Sequence, residues 1–256
     1  MANIYRISRG LILIAFFLGF CPKSFGQSLR IAVAANAQGV IKKLQEDFKK
    51  STGIETEIII GASGKLAAQI MNGAPYHVFL SADTEFPEKL FAAGFGLEKP
   101  KVYALGSLIL YGVNSIDLKN WQMLIQSAQI KKIAIANPLT APYGKAATEA
   151  FKYYHLDRKI DAKLVYGESI SQVNTYLKSG AVDFGFTTES LLYDLGNQKV
   201  NWIRIDQKSY SPIAQSAILI ANTPKPLTLK AKKFYDYLFS PAAKKIISKN
   251  GYSLPK

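Results

Sequence analysis

Four places in the chain put small or hydroxyl-bearing residues where an apolar run gives way to a helical pattern. They are Ala35-Asn36, Gly61-Ala62-Ser63-Gly64, Pro142-Tyr143-Gly144 and Glu168-Ser169-Ile170. A helix that starts at such a turn presents N–H groups with no internal partner and roughly half a positive charge, so it suits the capture of an anion. The competing role is local, because Asn36, Ser63 and Ser169 are of the types that commonly cap the helix they precede.

Catalytic chemistry is poorly supplied. Gly61-Ala62-Ser63-Gly64-Lys65 looks like a phosphate-binding loop, but Ile59 stands where its first glycine belongs and Leu66 where Ser or Thr is required. Neither Ser63 nor Ser169 lies in a G-x-S-x-G elbow. The two histidines are His77 and His155, and the second, beside Tyr153 and Tyr154, reads as a helix end. No His, Cys, Asp and Glu cluster has metal-ligand spacing. The residues point to binding and not to turnover, so neither an enzyme nor a resident cofactor is expected.

The elements that must position these turns alternate from strand to helix. Leu29 to Ala35 reads as a buried strand. The next helix aligns Val40, Ile41, Leu44 and Phe48 and ends at Gly53. Strands follow at Glu55 to Ile60 and Val78 to Ser81, with helices carrying Leu66, Ala67 and Ile70 and then spanning about Thr84 to Ala93. Further strands are expected at Ser107 to Val113, Lys132 to Ala136, Lys163 to Tyr166, Val182 to Phe186, Trp202 to Ile205 and Ser216 to Ala221. Helices are expected at about Tyr143 to Tyr154, Ser169 to Lys178, Lys230 to Phe239 and Pro241 to Lys249, the last capped by Ser240. Repeated β-α-β units make the fold class α/β, with parallel sheets. In such sheets the strand-to-helix turns gather outside the carboxyl ends of the strands, where ligands bind.

At the N-terminus, Arg6 and Arg9 precede an apolar run from Leu11 to Phe20 and the small-x-small triplet Ser24-Phe25-Gly26. This reads as a secretory signal peptide cut after Gly26, since the run is about ten residues and a membrane span needs roughly twenty. The sole cysteine, Cys21, lies within it, so neither a disulfide nor a thiol nucleophile is expected in the mature chain. The chain carries a formal charge of +14, three of it on Arg6, Arg9 and Lys23, which leaves +11 after residue 26. The lysines are scattered as pairs (Lys42-Lys43, Lys49-Lys50, Lys131-Lys132, Lys244-Lys245) and form no arginine-rich stripe with interleaved aromatics. They read as solvated helix faces, and no nucleic-acid partner is expected.

The segments Val33-Ala34-Ala35-Asn36, Gly61-Ala62-Ser63-Gly64-Lys65-Leu66, Gly73-Ala74-Pro75-Tyr76-His77-Val78-Phe79-Leu80-Ser81-Ala82-Asp83 and Asn137-Pro138 to Pro142-Tyr143-Gly144 closely resemble the periplasmic molybdate-binding proteins of ABC importers. The resemblance continues through Phe234-Tyr235-Asp236-Tyr237-Leu238 and Gly251-Tyr252. It implies a two-lobed periplasmic binding protein of type II. The first lobe would be residues 27–107 plus 216–256 and the second 108–215, with crossing strands near Gly106 to Leu110 and Gln215 to Leu219. It further implies a monomer that captures molybdate or tungstate in the cleft and docks on a membrane permease with its ATPase.

Carried over by position, the implied oxyanion donors are Asn36, Ser63, Tyr143 and the backbone N–H of Ile170, with Ala35 and Thr188 in secondary places. Thr188 stands where some members have a tyrosine, while Tyr143 falls where others supply theirs. His77 replaces the family's usual aspartate and is expected to be a structural change at the hinge side or the surface, not a metal ligand. A ring of neutral donors can desolvate a dianion without a buried countercharge. It also leaves the proton of hydrogen phosphate unpaired, and it must reject sulfate by size. Molybdate and tungstate are nearly equal in size, so the sequence does not separate them. A protein for another oxyanion, such as sulfate, thiosulfate or phosphonate, would share the fold and the same helix-terminus logic.

Overall fold

A computed structural model describes residues 28–113, 117–196, 198–221 and 223–256. The expected leader and Cys21 lie outside them. In chain order the first elements are β1 (Leu29–Ala34), a 3-10 turn (Ala35–Ala37), α1 (Gln38–Thr52), β2 (Thr56–Gly61), α2 (Ser63–Met71), β3 (Val78–Ser81) and α3 (Glu85–Ala92). Next come β4 (Lys101–Gly106), β5 (Leu108–Gly112), α4 (Trp121–Leu124), β6 (Ile133–Ala136), α5 (Pro142–Tyr153), β7 (Leu164–Gly167), α6 (Ile170–Ser179) and β8 (Phe184–Thr188). The chain closes with α7 (Ser190–Asp194), β9 (Asn201–Arg204), β10 (Ile213–Leu219), α8 (Lys225–Leu238) and α9 (Pro241–Ser248).

Two five-stranded sheets result, one ordered β2-β1-β3-β10-β4 and the other β7-β6-β8-β5-β9. In the first, β1 runs parallel to β2 from Leu29 opposite Thr56 to Ala34 opposite Gly61, and parallel to β3. In the second, β6 runs parallel to β7 and β8. Each sheet is mainly parallel, as expected, with one reversed strand: β10 is antiparallel to β3 and β4, and β5 is antiparallel to β8 and β9. The cause is the direction of entry. Strands β1 to β3 end at the cleft between the sheets, whereas β10 and β5 arrive from the opposite sheet and begin there.

The first crossing is Ser107, between β4 in one sheet and β5 in the other. The second runs from Arg204 to Ile213 through a 3-10 turn at Gln207–Ser209. It was expected at Gln215 to Leu219, but those residues are paired with β3 and β4 well inside the first sheet. The two crossings are tied together where the Leu108 N–H donates to the Tyr210 hydroxyl at 3.0 Å.

Each lobe has its own core. Helix α1 buries Val40, Ile41, Leu44 and Phe48, the face that its spacing predicts, and Phe48 meets Phe234 of α8 edge-on at 5.1 Å. Burying each such side chain stabilises the fold by about 1.5–3 kcal/mol. Gly53 ends α1 with φ 70°, a left-handed conformation that costs glycine little. In the second lobe Phe151 of α5 packs edge-on against Phe186 of β8 at 4.8 Å. The C-terminal segment returns to the crossing, where Ser253 and Leu105 exchange two backbone bonds of 2.8 and 2.9 Å.

Candidate functional site

The carboxyl ends of β1, β2 and β3 face the turn after β6 and the start of α6 across the cleft. A small cavity lies where they meet, lined by Ala34, Ala35, Asn36, Ala62, Ser63, Ala82, Ala141, Pro142, Tyr143 and Ile170. Five residues proposed from the sequence, Ala35, Asn36, Ser63, Tyr143 and Ile170, therefore come together from four separate elements. No lining side chain is charged. The cavity is about 10 Å³, on the scale of a single water.

The donors are individually legible. Ser63 is the first residue of α2 and fully buried; its Oγ accepts the Ala82 N–H at 3.0 Å, which leaves the hydroxyl proton free to donate. Ile170 opens α6, ahead of the first internal bonds, which Gln172 and Val173 donate to the Ser169 carbonyl. The N–H of Ile170 therefore precedes the helical ladder. Similarly, the turn at Ala35 and Asn36 comes before its first internal bond, donated by Gln38 to the Ala35 carbonyl.

The capping alternative does not hold for these positions. The N-caps of α1 and α2 are Ala37 and Ala62, so Asn36 and Ser63 do not occupy the cap positions, and Ser169, the N-cap of α6, makes no side-chain cap bond. Ser240, by contrast, caps α9 as expected, accepting the Ala243 N–H.

Asn36 is held differently from the implied role. Its Nδ2 donates to Gln215 Oε1 at 2.8 Å and to the Tyr252 hydroxyl at 3.0 Å, so both amide protons are engaged away from the cavity. In this arrangement neither amide proton of Asn36 is left for the cavity. Tyr143, at the second position of α5, reaches the crossing strands, where its hydroxyl accepts from Thr188 Oγ1 at 3.0 Å and Gln215 Nε2 at 3.3 Å. Burial first, then the neighbouring Tyr252 hydroxyl, holds the Tyr143 phenol well above its ordinary range, so it stays a neutral donor. Gly106 makes room for this hydroxyl, since a Cβ there would lie 2.1 Å from it.

Thr188 does not line the cavity. It sits behind Tyr143, contacting Ser190 Oγ at 3.1 Å as well. His77 is neither at the hinge nor on the surface: it is buried just before β3, at the far end of the first sheet. It is locked to β1, where Arg30 N–H donates to its Nδ1 at 2.8 Å and its own N–H donates to the Arg30 carbonyl at 2.9 Å. The ring there substitutes for a ladder acceptor. Among the described residues no group of three or more His, Cys, Asp or Glu could hold a metal ion.

Reasoning from sequence missed Gln215, Tyr252 and Ser190, which bond to the site residues from behind, and Tyr103, which bonds to Gln215. The available signals were slight: one amide inside the apolar stretch Ile213 to Leu219, and a tyrosine in the C-terminal segment. A larger groove of about 630 Å³ opens beside the cavity, and it is there that Lys42, Lys43 and Lys178 lie.

The walls of the cleft touch. The Gly64 N–H donates to the Thr140 carbonyl, Ser171 Oγ donates to Gln38 Oε1 at 2.7 Å, and Ser190 Oγ donates to the Asn36 carbonyl at 2.8 Å. Lys65 pairs with Glu168 at 2.5 Å and Lys145 with Glu85 at 3.1 Å at the rim. This is a closed arrangement around a small, donor-rich, uncharged space.

Known proteins share both sequence and architecture with the chain. The molybdate-binding protein ModA of Azotobacter vinelandii is 32% identical over 98% of this chain and 99% of its own. ModA of Rhodobacter capsulatus is 31% identical over 95% of each. The solved structure of the periplasmic molybdate-binding protein of Azotobacter vinelandii superposes with a TM-score of 0.84 at 33% identity, covering 90% of this chain and 100% of that one. The family model for bacterial extracellular solute-binding proteins matches residues 29–253. With that match and those relatives, the chain belongs to the bacterial extracellular solute-binding protein family and stands with its ModA molybdate-binding members.

Proposed function

We propose that this protein captures molybdate or tungstate in the cleft between its lobes and delivers it to the permease and ATPase of an ABC importer. The observation that carries this reading is the uncharged lining of the cavity, to which Ser63 and Tyr143 contribute hydroxyl-bearing side chains and two helical segments contribute their starts, at Ala35–Asn36 and Ile170. A dianion loses strong hydration on entry, and each of its oxygens must receive donors in exchange. Hydroxyls and helix N-termini supply these without an acceptor that would favour a protonated oxyanion. An ion seated there must be small, and its size sets how far the two walls close. The affinity of the relatives named ModA for molybdate, stated in their names, supports the choice of ligand. Export by a cleaved leader ending at Gly26, and a monomeric state, complete the proposal.

Isothermal titration of the mature protein with molybdate, tungstate, sulfate and phosphate tests it. Saturable one-to-one heat with the first two alone is the expected result. Heat with sulfate or thiosulfate and none with molybdate would keep the fold and overturn the ligand.

A further inference from the structure

The hydroxyl of Tyr143 is the one side-chain donor whose direction depends on groups outside the cavity, and those groups form a chain with a fixed polarity. It starts at the Asn36 carbonyl, which can only accept. The Tyr252 hydroxyl donates to it at 2.8 Å, so the Tyr252 oxygen is left to accept from Asn36 Nδ2 at 3.0 Å. That orients the Asn36 amide, whose other proton goes to Gln215 Oε1 at 2.8 Å. Tyr103 donates to the same oxygen at 3.4 Å. With Asn36 Nδ2 and Tyr103 donating to Oε1, the network orients the Gln215 amide so that its Nε2 donates to the Tyr143 oxygen at 3.3 Å. Thr188 Oγ1 occupies the second lone pair of that oxygen at 3.0 Å. A phenol oxygen accepting two bonds has only its proton to offer. Gln215 itself is fully buried and 179 residues from Asn36 in sequence.

Resting on the oxyanion reading above, we infer that Gln215 is a specificity-determining positioning residue: its amide keeps the Tyr143 oxygen filled, so that the cavity donates only and excludes oxyanions that carry a proton. Thr188 cannot do this alone, because its hydroxyl can turn to Ser190 instead. Gln215 Nε2 has no such freedom. Without it, the Tyr143 oxygen gains a lone pair able to accept the proton of hydrogen phosphate or hydrogen arsenate, and the penalty against those ions falls.

Two variants separate this from a merely structural role. Gln215→Glu keeps both acceptor contacts, to Asn36 and Tyr103, and replaces only the donor. When its carboxyl is ionised, the Tyr143 proton turns to it and the cavity loses a donor; when protonated, the carboxylic acid donates to Tyr143 and restores the arrangement. The groups that face this position are the hydroxyls of Tyr103 on β4, Tyr143 on α5 and Tyr252 near the C-terminus, all raised by burial and neutral through the range tested. The nearest carboxylates act one step removed: Asp83 meets the neighbouring Ser216 through its backbone carbonyl, and Asp194 faces Tyr252.

Molybdate titration between pH 8 and pH 5.5 is therefore expected to give a flat affinity for the native protein. For Gln215→Glu it should give a loss on the order of tenfold or more at pH 8 that recovers on acidification. Gln215→Leu should narrow the molybdate-to-phosphate and molybdate-to-arsenate affinity ratios about tenfold. If Gln215→Leu fails to fold, the pH profile of Gln215→Glu decides. A native protein that binds molybdate, with a pH-flat Gln215→Glu and an unchanged anion ratio in Gln215→Leu, overturns this inference alone. A native protein deaf to all these oxyanions overturns the oxyanion reading and the inference together.

Discussion

The backbone N–H of Gly64, in the first turn of α2, donates at 2.9 Å to the carbonyl of Thr140, in the turn before α5 on the opposite wall of the cleft. A Cβ on Gly64 would lie 3.0 Å from the Thr140 Cα and 2.8 Å from the Phe86 ring. Close approach of two backbones, and no demand for an unusual φ, is what requires glycine here. Gly64→Val is expected to hold the lobes apart. Molybdate affinity should fall at least tenfold, and small-angle scattering should show no ligand-induced contraction, while the melting temperature of the unliganded protein shifts little. Contraction and affinity like those of the native protein would refute this role.

Removing single donors should cost in proportion to hydrogen bonds made to a charged group, about 1.5–3 kcal/mol each. Ser63→Ala and Tyr143→Phe should therefore each weaken molybdate binding roughly tenfold to a hundredfold at 25 °C. Thr188→Val, which removes a support and not a donor, should weaken it less than either. Calorimetric titration of the three variants ranks them, and a Thr188→Val loss equal to that of Tyr143→Phe would place Thr188 on the anion.

The rim ion pairs should matter little. Lys65 and Glu168 are 48% and 61% exposed, and Lys145 and Glu85 are comparably open to solvent. Exposed pairs contribute about 0.2–1 kcal/mol. Lys65→Ala is expected to change molybdate affinity less than about fivefold, with the difference vanishing in 0.5 M salt, as a titration at two ionic strengths would show.

His77 makes stability depend on pH in a definite direction. Burial first, and then the charge of Arg30, lower its pKa from 6.5 in the folded protein. The folded state therefore binds its proton less readily than the unfolded chain. Its contribution is fully present above pH 6.5, is lost progressively as pH falls toward the lowered value, and levels off below it. Protonation also removes the Nδ1 lone pair that accepts the Arg30 N–H. The melting temperature, followed from pH 7.5 to pH 5, should drop more for the native protein than for His77→Asn, whose amide oxygen can accept the same bond without titrating.

Much of the architecture was legible locally. The Val40, Ile41, Leu44 and Phe48 stripe, the Gly53 stop and the strand Val78–Ser81 follow from side-chain period and backbone preference, which act within a few residues. Strand β4 was not. Lys101–Gly106 follows a Lys and Pro cluster and runs almost directly into Leu108–Gly112, so one strand was read where the chain makes two in different sheets. Nothing local marks Ser107 as a passage between lobes, because the change of partner is decided by strands far away in sequence.

By itself, then, the sequence determined the α/β class and the placement of small and hydroxyl residues at helix starts, which is the ground for the anion-site proposal. Only the tertiary structure decided how those residues are spent. Asn36 gives its amide protons to Gln215, 179 residues on, and Tyr252, 216 residues on; Ser63 holds Ala82; Thr188 stands behind Tyr143. Which donors remain for a ligand is a matter of hydrogen-bond accounting among groups brought together by two crossings and a returning C-terminus, and that accounting has no signature in local spacing.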